Sequence, residues 1–276
     1  SPIPAAHVAE AEKLPGFQSA AILATRYIGF NNRHTPFENV GVRRAFALAV
    51  DKRALVEQAL HGTGIPADRI LPAGLLGTQL SIQPLAFNAT AAKNELAVAG
   101  YPDGEGLPPI TLTYAREGDN AVAAQALQAM WQANLGVAVK LEELNLEDFS
   151  ARLDTTYHTP EQGLQMYFSI WGADYPDPHN FLSQQLRTDT VNNNGHFSDP
   201  EFDQLVNEAD QLGDRSQIER RLQLYAQAEQ IAIDKVGWLP LFYPRFNILL
   251  HPRVQGLVIT PNGIVAPDWT QVRVTS

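Results

Sequence analysis

Residues 110–141 constrain the fold of this chain more than any other stretch. Ile110, Leu112 and Tyr114 alternate with polar neighbours, the period-2 signature of a strand. Residues 118–135 then place Val122, Ala126, Leu127, Met130 and Trp131 on one helical face and stop at Gly136. Val137, Val139 and Leu141 alternate as a second strand. A strand, helix and strand of this length form a right-handed crossover, so 110–114 and 137–141 are expected side by side and parallel. A third strand, over Leu164–Trp171, is expected beside them.

The flanking sequence is consistent with helices covering such a sheet. Ala5–Lys13 reads as a helix ended by Pro15-Gly16, and Ala20–Phe30 as one strand. Val42, Ala45, Phe46, Ala49 and Val50, then Leu55, Val56, Ala59 and Leu60, predict two consecutive helices. Asp51 caps the second and Gly62 stops it. Residues 63–87 read as an ordered loop, and Ala89–Ala99 as a short helix. Asn145 with Asp148 caps a helix to Leu153. Asp199-Pro200 starts another, and Ser216–Lys235 forms a longer one. Leu239–Tyr243, Asn247–Leu250 and Leu257–Thr260 read as short strands. Pro240 marks the first of these as an edge or terminal strand. Trp131 and Met130 are core residues by position, and Trp269 is expected to pack before the closing strand. The class is α/β, a mixed central sheet flanked by helices.

Composition removes whole classes of function. There is no cysteine, and hence no disulfide, thiolate nucleophile or Cys-ligated metal. No apolar run reaches the length of a membrane-spanning helix, and Ser1–Ala6 lack the basic and apolar start of a signal peptide. Net charge is −10, and residues 95–210 hold 19 Asp or Glu against four Lys or Arg. Such a surface repels phosphate backbones, so nucleic acid is not expected as a partner. Hydrolase and nucleotide-binding motifs are absent, and the seven histidines are scattered.

The densest polar and aromatic cluster is Trp171-Gly-Ala-Asp174-Tyr175-Pro-Asp177-Pro-His179-Asn180, directly after the third expected strand. One reading is a ligand clamp, with Trp171 and Tyr175 as apolar walls and Asp174 fixing a cationic group. The other is a proline-restrained turn in which Asp177 caps a helix through Phe181 and Leu182. Both readings stand, for different residues. A metal set of Asp174, Asp177 and His179 lacks a fourth ligand, and a catalytic carboxylate pair of Asp174 and Asp177 lacks a visible nucleophile. The polar connection Asn192-Asn-Asn-Gly195-His196-Phe197, which includes Asn193, is a second candidate border of a cleft.

These residues resemble the peptide/nickel class of extracytoplasmic solute-binding proteins that serve ABC importers. The resemblance is carried by Tyr27-Ile-Gly-Phe-Asn31 with Pro36-Phe37, and by Val42 to Lys52. Gly62-Thr-Gly64 through Ala67 to Pro72 and Ala99-Gly100-Tyr101-Pro102 continue it. Trp171 to Pro178 with Asn180-Phe181-Leu182, and Pro240-Leu241, complete it, in the family's order.

The resemblance implies a periplasmic-binding-protein-like lobe of a two-lobed clamshell, matching only the family's later half. Residues 1–25 are then expected in the first lobe or hinge, 26–245 in the second, substrate-binding lobe, and 246–276 returning towards the first. The implied role is non-enzymatic binding of a small peptide outside the cytoplasmic membrane, in the periplasm or as a surface lipoprotein, without a cofactor. The implied partners are the N-terminal lobe and ABC permease subunits. By resemblance Asp174 takes the ligand's amine and Trp171 lines a side-chain pocket. Phe168 stands where some oligopeptide binders carry a basic residue for the peptide carboxylate, and Ile170 where glycine is frequent. Nickel chelates, haem, oligosaccharides and opines are the family's other solutes. A ligand-sensing domain of a regulator is the alternative role.

Overall fold

The computed structural model describes residues 3–261, 263–265 and 269–275. Ser1 and Pro2 of the opening segment, and Asn262, Ala266, Pro267, Asp268 and Ser276 of the closing one, lie outside the described residues. Helix α1 (Ala5–Ala11) precedes strands β1 (Phe17–Ala21) and β2 (Ala24–Phe30). Next come α2 (Val40–Leu48), α3 (Lys52–Ala54, continued by a wide turn over Leu55–Ala59), β3 (Gly64–Pro66) and α4 (Ala89–Val98). The crossover is β4 (Ile110–Ala115), α5 (Asn120–Leu135) and β5 (Val139–Leu144), followed by α6 (Leu146–His158) and β6 (Met166–Gly172). Two single-turn helices, α7 (Pro178–Phe181) and α8 (Ser183–Leu186), lead to α9 (Pro200–Asp210), α10 (Ile218–Asp234) and β7 (Trp238–Leu249). Two short ribbons follow, Val258–Thr260 with Gly263–Val265 and Val254–Gln255 with Arg273–Val274.

The main sheet runs β1-β7-β2-β6-β4-β5, with β3 also on β7. β4 pairs parallel with β5, from Ile110 opposite Val139 to Ala115 opposite Leu144, and parallel with β6 on its other side. The expected crossover and third strand are therefore present. β2 lies antiparallel to β6, with Ile28 opposite Phe168 and Thr25 opposite Trp171.

The alternation of β2 and β6 builds a core on each face. Ile28, Phe30, Met166 and Phe168 join α2 and α5 through Phe46, Leu127 and Trp131. The fully buried Trp131 satisfies its indole by donating to the Phe46 carbonyl at 3.0 Å. Tyr27, Tyr167 and Trp238 face the other way, against Phe181, Phe202 and Tyr225 of α7, α9 and α10. Gly29 is required here, because a Cβ would fall 2.2 Å from the Tyr167 ring. Gly136 closes α5 at φ 75°, the left-handed cap that glycine adopts without strain.

Several expectations are corrected. Ala20–Phe30 is not one strand but β1 and β2, which β7 separates in the sheet. Leu239–Tyr243 and Asn247–Leu250 are one strand of 12 residues, and it lies inside the sheet. Pro240 is tolerated there because the register with β2 slips beside it: Tyr27 faces Pro240 while Arg26 faces Phe242, leaving Leu241 as the extra residue of a bulge. Trp269 does not pack but is 73% exposed. The loop expected over 63–87 also contributes β3 to the sheet.

The two terminal segments meet. β1 pairs with Arg245–Leu249 of β7, and Ile3 N donates to the Asn247 carbonyl at 3.0 Å.

Candidate functional site

From β4 the chain crosses over α5 to β5 on one side, then over α6 to β6 on the other. Crossovers leaving in opposite directions open a crevice between β4 and β6 at their carboxyl ends, where ligands bind in α/β sheets. Two features sit at that end: the loop that follows β6, and a cavity of about 170 Å³ beside the start of α5.

The loop is organised by one buried amide. Asn180, in the first turn of α7, accepts on Oδ1 from the Trp171 indole at 3.0 Å and from the Asp174 backbone N–H at 3.1 Å. Its Nδ2 donates to Asp174 Oδ2 at 3.2 Å. Asn180 is 1% exposed, so these bonds replace water it cannot reach. Trp171 is half-buried against the second core, while Asp174 and Tyr175 are exposed. The Tyr175 ring stacks on His179 at 5.9 Å.

The second half of the loop is tied down. Asp177 caps α7, accepting from the His179 backbone N–H at 2.9 Å, and receives Arg221 of α10 through two bonds of 2.8 Å. Burial alone raises the Asp177 carboxyl, but the Arg221 and His179 hydrogen bonds outweigh it and hold the group below the usual carboxylate range. Asp210 of α9 completes the anchor, accepting from Ser183 Oγ at 2.9 Å and from the Tyr225 hydroxyl. Asp177 is thus a structural cap and ion-pair partner, and Asp174 is the carboxylate left facing solvent.

The cavity is lined by Arg26, Thr63, Asn120, Phe168, Phe242 and Arg245, among others. Arg26 lies on β2 opposite Ile170, its guanidinium 5.6 Å over the Phe168 ring, with Nη1 donating to Asn120 Oδ1 at 2.8 Å. Burial lowers the Arg26 guanidinium from its ordinary value, while Glu117 and Asp119 pull it back through space. Phe168 itself is 1% exposed and forms the cavity wall under Arg26.

The structure brings Trp171, Asp174 and Tyr175 onto one loop and Phe168 into the neighbouring cavity. Asn193 is corrected, because it lies at the opposite end of the sheet. Its loop packs beside the end of β2, where Asn32 N donates to the Gly195 carbonyl at 2.8 Å. The Asn193 amide donates to the Phe197 carbonyl at 2.7 Å and accepts from Phe197 N at 3.0 Å, closing its own loop. Among the described residues no three His, Asp or Glu side chains gather as a metal set. Arg26 and Arg245 are the residues that site reasoning from the sequence missed, and Asn180 stood in the candidate cluster without a role of its own. Arg26 did carry a signal, a cation in step with the apolar positions Ile28 and Phe30 of the same strand.

Residues 1–193 match the profile of the bacterial extracellular solute-binding proteins, family 5, middle region. The chain belongs to that family. Haem-binding protein A of Haemophilus influenzae is 33% identical over 247 residues, 87% of this chain and 43% of that protein. The periplasmic oligopeptide-binding protein OppA of Salmonella typhimurium is 32% identical, over 85% of this chain and 42% of its own length. The crystal structure of a periplasmic oligopeptide-binding protein, OppAIV, from Borrelia burgdorferi superposes with a TM-score of 0.81 at 27% identity, covering 92% of this chain and 49% of that one. The chain therefore spans less than half the length of the curated relatives it matches. Family 5 proteins are extracellular or periplasmic binding proteins rather than enzymes. No helix among the described residues is long and apolar enough to cross a membrane.

Proposed function

We propose that this chain is the substrate-binding lobe of a family 5 receptor that delivers a small peptide to an ABC importer outside the cytoplasmic membrane. In this reading Asp174 holds the peptide's ammonium group, and Trp171 and Tyr175 flank it. Residues 26–245 form the lobe, and the paired segments 1–25 and 246–276 belong to the hinge and the first lobe. The observation that carries the reading is the Asn180 amide, which fixes Trp171 and Asp174 together while leaving the carboxylate exposed. A side chain held in place by a buried polar support, yet turned to solvent, is preorganised for a charged partner.

One lobe covers about half the ligand area that an enclosed site buries, while association still costs about 4–15 kcal/mol of rigid-body freedom. Calorimetry of this chain with a di- and tripeptide mixture is expected to give weak binding, and Asp174→Asn to reduce it. Submicromolar binding by the monomeric chain contradicts the half-site reading, and peptide affinity untouched by Asp174→Asn contradicts the role of Asp174. A second reading, haem as the solute, is favoured by the 33% identity to a haem-binding protein. A saturable Soret shift on adding haem, competed by no peptide, would establish it instead.

A further inference from the structure

Tyr175 stands 40% exposed in the solute loop, yet its hydroxyl is not left to water alone. The ring stacks on the His179 imidazole, and the hydroxyl shares a hydrogen bond with Nδ1 of the same imidazole. The other ring nitrogen, Nε2, faces Asp210 Oδ2 of α9 at 3.8 Å. Exposure rises along this series, from 14% for the Asp210 side chain to 28% for His179 and on to Tyr175. Asp210 is itself fixed. Its Oδ1 accepts from Ser183 Oγ and the Tyr225 hydroxyl, and its Oδ2 also has Arg187 Nη1 at 3.7 Å.

The carboxylate decides where the imidazole keeps its proton. A neutral imidazole has one N–H and one lone pair, and its two nitrogens are distinct. A proton on Nε2 points at Asp210 and is attracted by its charge, whereas a proton on Nδ1 sets a bare lone pair against the carboxylate. With Nε2 protonated, Nδ1 is an acceptor, and the Tyr175 hydroxyl donates to it. The phenol has a single proton. Once that proton is directed at His179, the oxygen turns only lone pairs outward, next in the chain to the exposed Asp174 carboxylate. Protonation of the imidazole reverses the bond. Nδ1–H then donates to the phenol oxygen, the hydroxyl proton turns outward, and a positive charge stands beside the loop. The charged groups facing His179 are Asp177 with its partner Arg221, and Asp210 with Arg187 and Tyr225. Asp214 and Arg215 border the cavity that Asp177 and Asp210 share.

We infer that His179 is a positioning residue of the solute loop: oriented by Asp210, it accepts from the Tyr175 hydroxyl and so makes the phenol oxygen a second acceptor, beside Asp174, for an N–H of the solute's ammonium group. The inference rests on the reading of Trp171–Tyr175 as a solute site, and it adds the two residues that set the polarity of that site. A solute presenting only carbonyl or carboxylate oxygens gains nothing from such an oxygen, because it has no N–H to give.

The first test needs no solute. Two-bond ¹H–¹⁵N correlation NMR of the full labelled chain at about pH 8 reads the imidazole tautomer, with His179→Phe or His179→Asn identifying the signals. A bare Nδ1 and a protonated Nε2 are expected, and Asp210→Asn is expected to shift the balance toward Nδ1–H. A wild-type His179 that already carries its proton on Nδ1 overturns the inference. The second test titrates alanylalanine amide, an amine without a carboxylate, and follows the Asn180 side-chain amide. Tyr175→Phe and His179→Phe each keep a ring and are each expected to weaken binding about two- to tenfold. The double variant is expected to bind no more weakly than either, because His179 acts through the hydroxyl. Losses that multiply in the double variant overturn the inference, as does wild-type affinity in Tyr175→Phe. Between about pH 7 and 5 the advantage of the wild type over Tyr175→Phe is expected to shrink as histidine gains its proton, and an advantage constant with pH overturns the inference. If His179→Phe does not fold, the tautomer and the pH dependence of Tyr175→Phe still decide. Asp174→Asn in the same titration reports on the loop itself. An amine that binds neither chain, or both equally, overturns the solute reading and the acceptor role of Tyr175 with it, while the tautomer separately shows whether Asp210 orients His179.

Discussion

Asp174 and Asp177 sit three residues apart on one loop, and the fold treats them in opposite ways. Asp177 is enclosed by an arginine fork and a helix N-terminus, its hydrogen-bonding capacity turned inward. Asp174 is held from behind, through its own backbone N–H and one carboxylate oxygen, by the same buried Asn180 that fixes Trp171. Anchoring and presentation are thus divided between the two halves of the segment Trp171–Asn180, from the end of β6 into the first turn of α7. The half that anchors is joined to α9 and α10, and the half that presents continues β6, where Ala173 N donates to the Leu23 carbonyl at 2.7 Å, and meets the anchor through Asn180. Substitutions in the anchoring half are expected to register as stability, and in the presenting half as binding.

Asn180→Leu is expected to have the largest effect, because it removes the link between the halves. The Trp171 indole and the Asp174 N–H lose the buried acceptor they share, at up to about 1–3 kcal/mol for each group left unpaired. A loss of about 2–4 kcal/mol in urea unfolding is expected, together with loss of any peptide response. A loss below about 1 kcal/mol would show that the loop is held without this amide and would remove the distinction between its halves.

Asp177→Asn comes next. Hydrogen bonds to charged groups contribute about 1.5–3 kcal/mol, and this side chain keeps one cap acceptor as asparagine, so about 1–3 kcal/mol is expected. The sign with pH follows from the lowered carboxyl. A group whose folded value lies below its unfolded value of about 3.9 contributes stability in full above about pH 4. That contribution is lost as pH falls through the lowered folded value. Urea midpoints should therefore fall with acid below about pH 4 in the wild type, and less steeply in Asp177→Asn. Parallel acid limbs in the two proteins would show that Asp177 is not a stability determinant.

The division of the loop was partly legible in the sequence. Asp177 followed by Pro178 is a helix start by local chemistry alone, and Asp174 has no such role, so the clamp and the cap could be assigned to different residues. The crossover 110–141 was legible for the same reason, since alternation and helical spacing depend only on neighbours in the chain. What the sequence hid depends on distant partners. Pro240 is unremarkable inside the sheet only because β2 slips its register beside it. Asn193 looked like a cleft residue until the pairing of β2 with β6 put it at the far end of the strands. Asn180 acquires its role from a tryptophan nine residues away, whose indole reaches it only once β6 ends and the chain turns back.

Asp174→Asn is expected to have the smallest effect on folding and so gives the sharpest test of the comparison. The amide keeps an oxygen for the Asn180 donor, and the backbone N–H of residue 174 keeps its acceptor. The carboxylate that is lost stood in solvent, in a stretch where acids outnumber bases by 15, so its removal relieves repulsion as much as it removes attraction. Stability should stay within about 0.5 kcal/mol of the wild type, with any difference shrinking as salt rises from about 0.01 to 0.15 M and the screening length falls from about 30 to 8 Å. Binding should respond the other way: an amine-bearing peptide loses its counter-charge, and the loss is largest at low salt. A destabilisation as large as that of Asp177→Asn would mean that the loop uses both carboxylates to hold itself together, leaving no charge set aside for a solute.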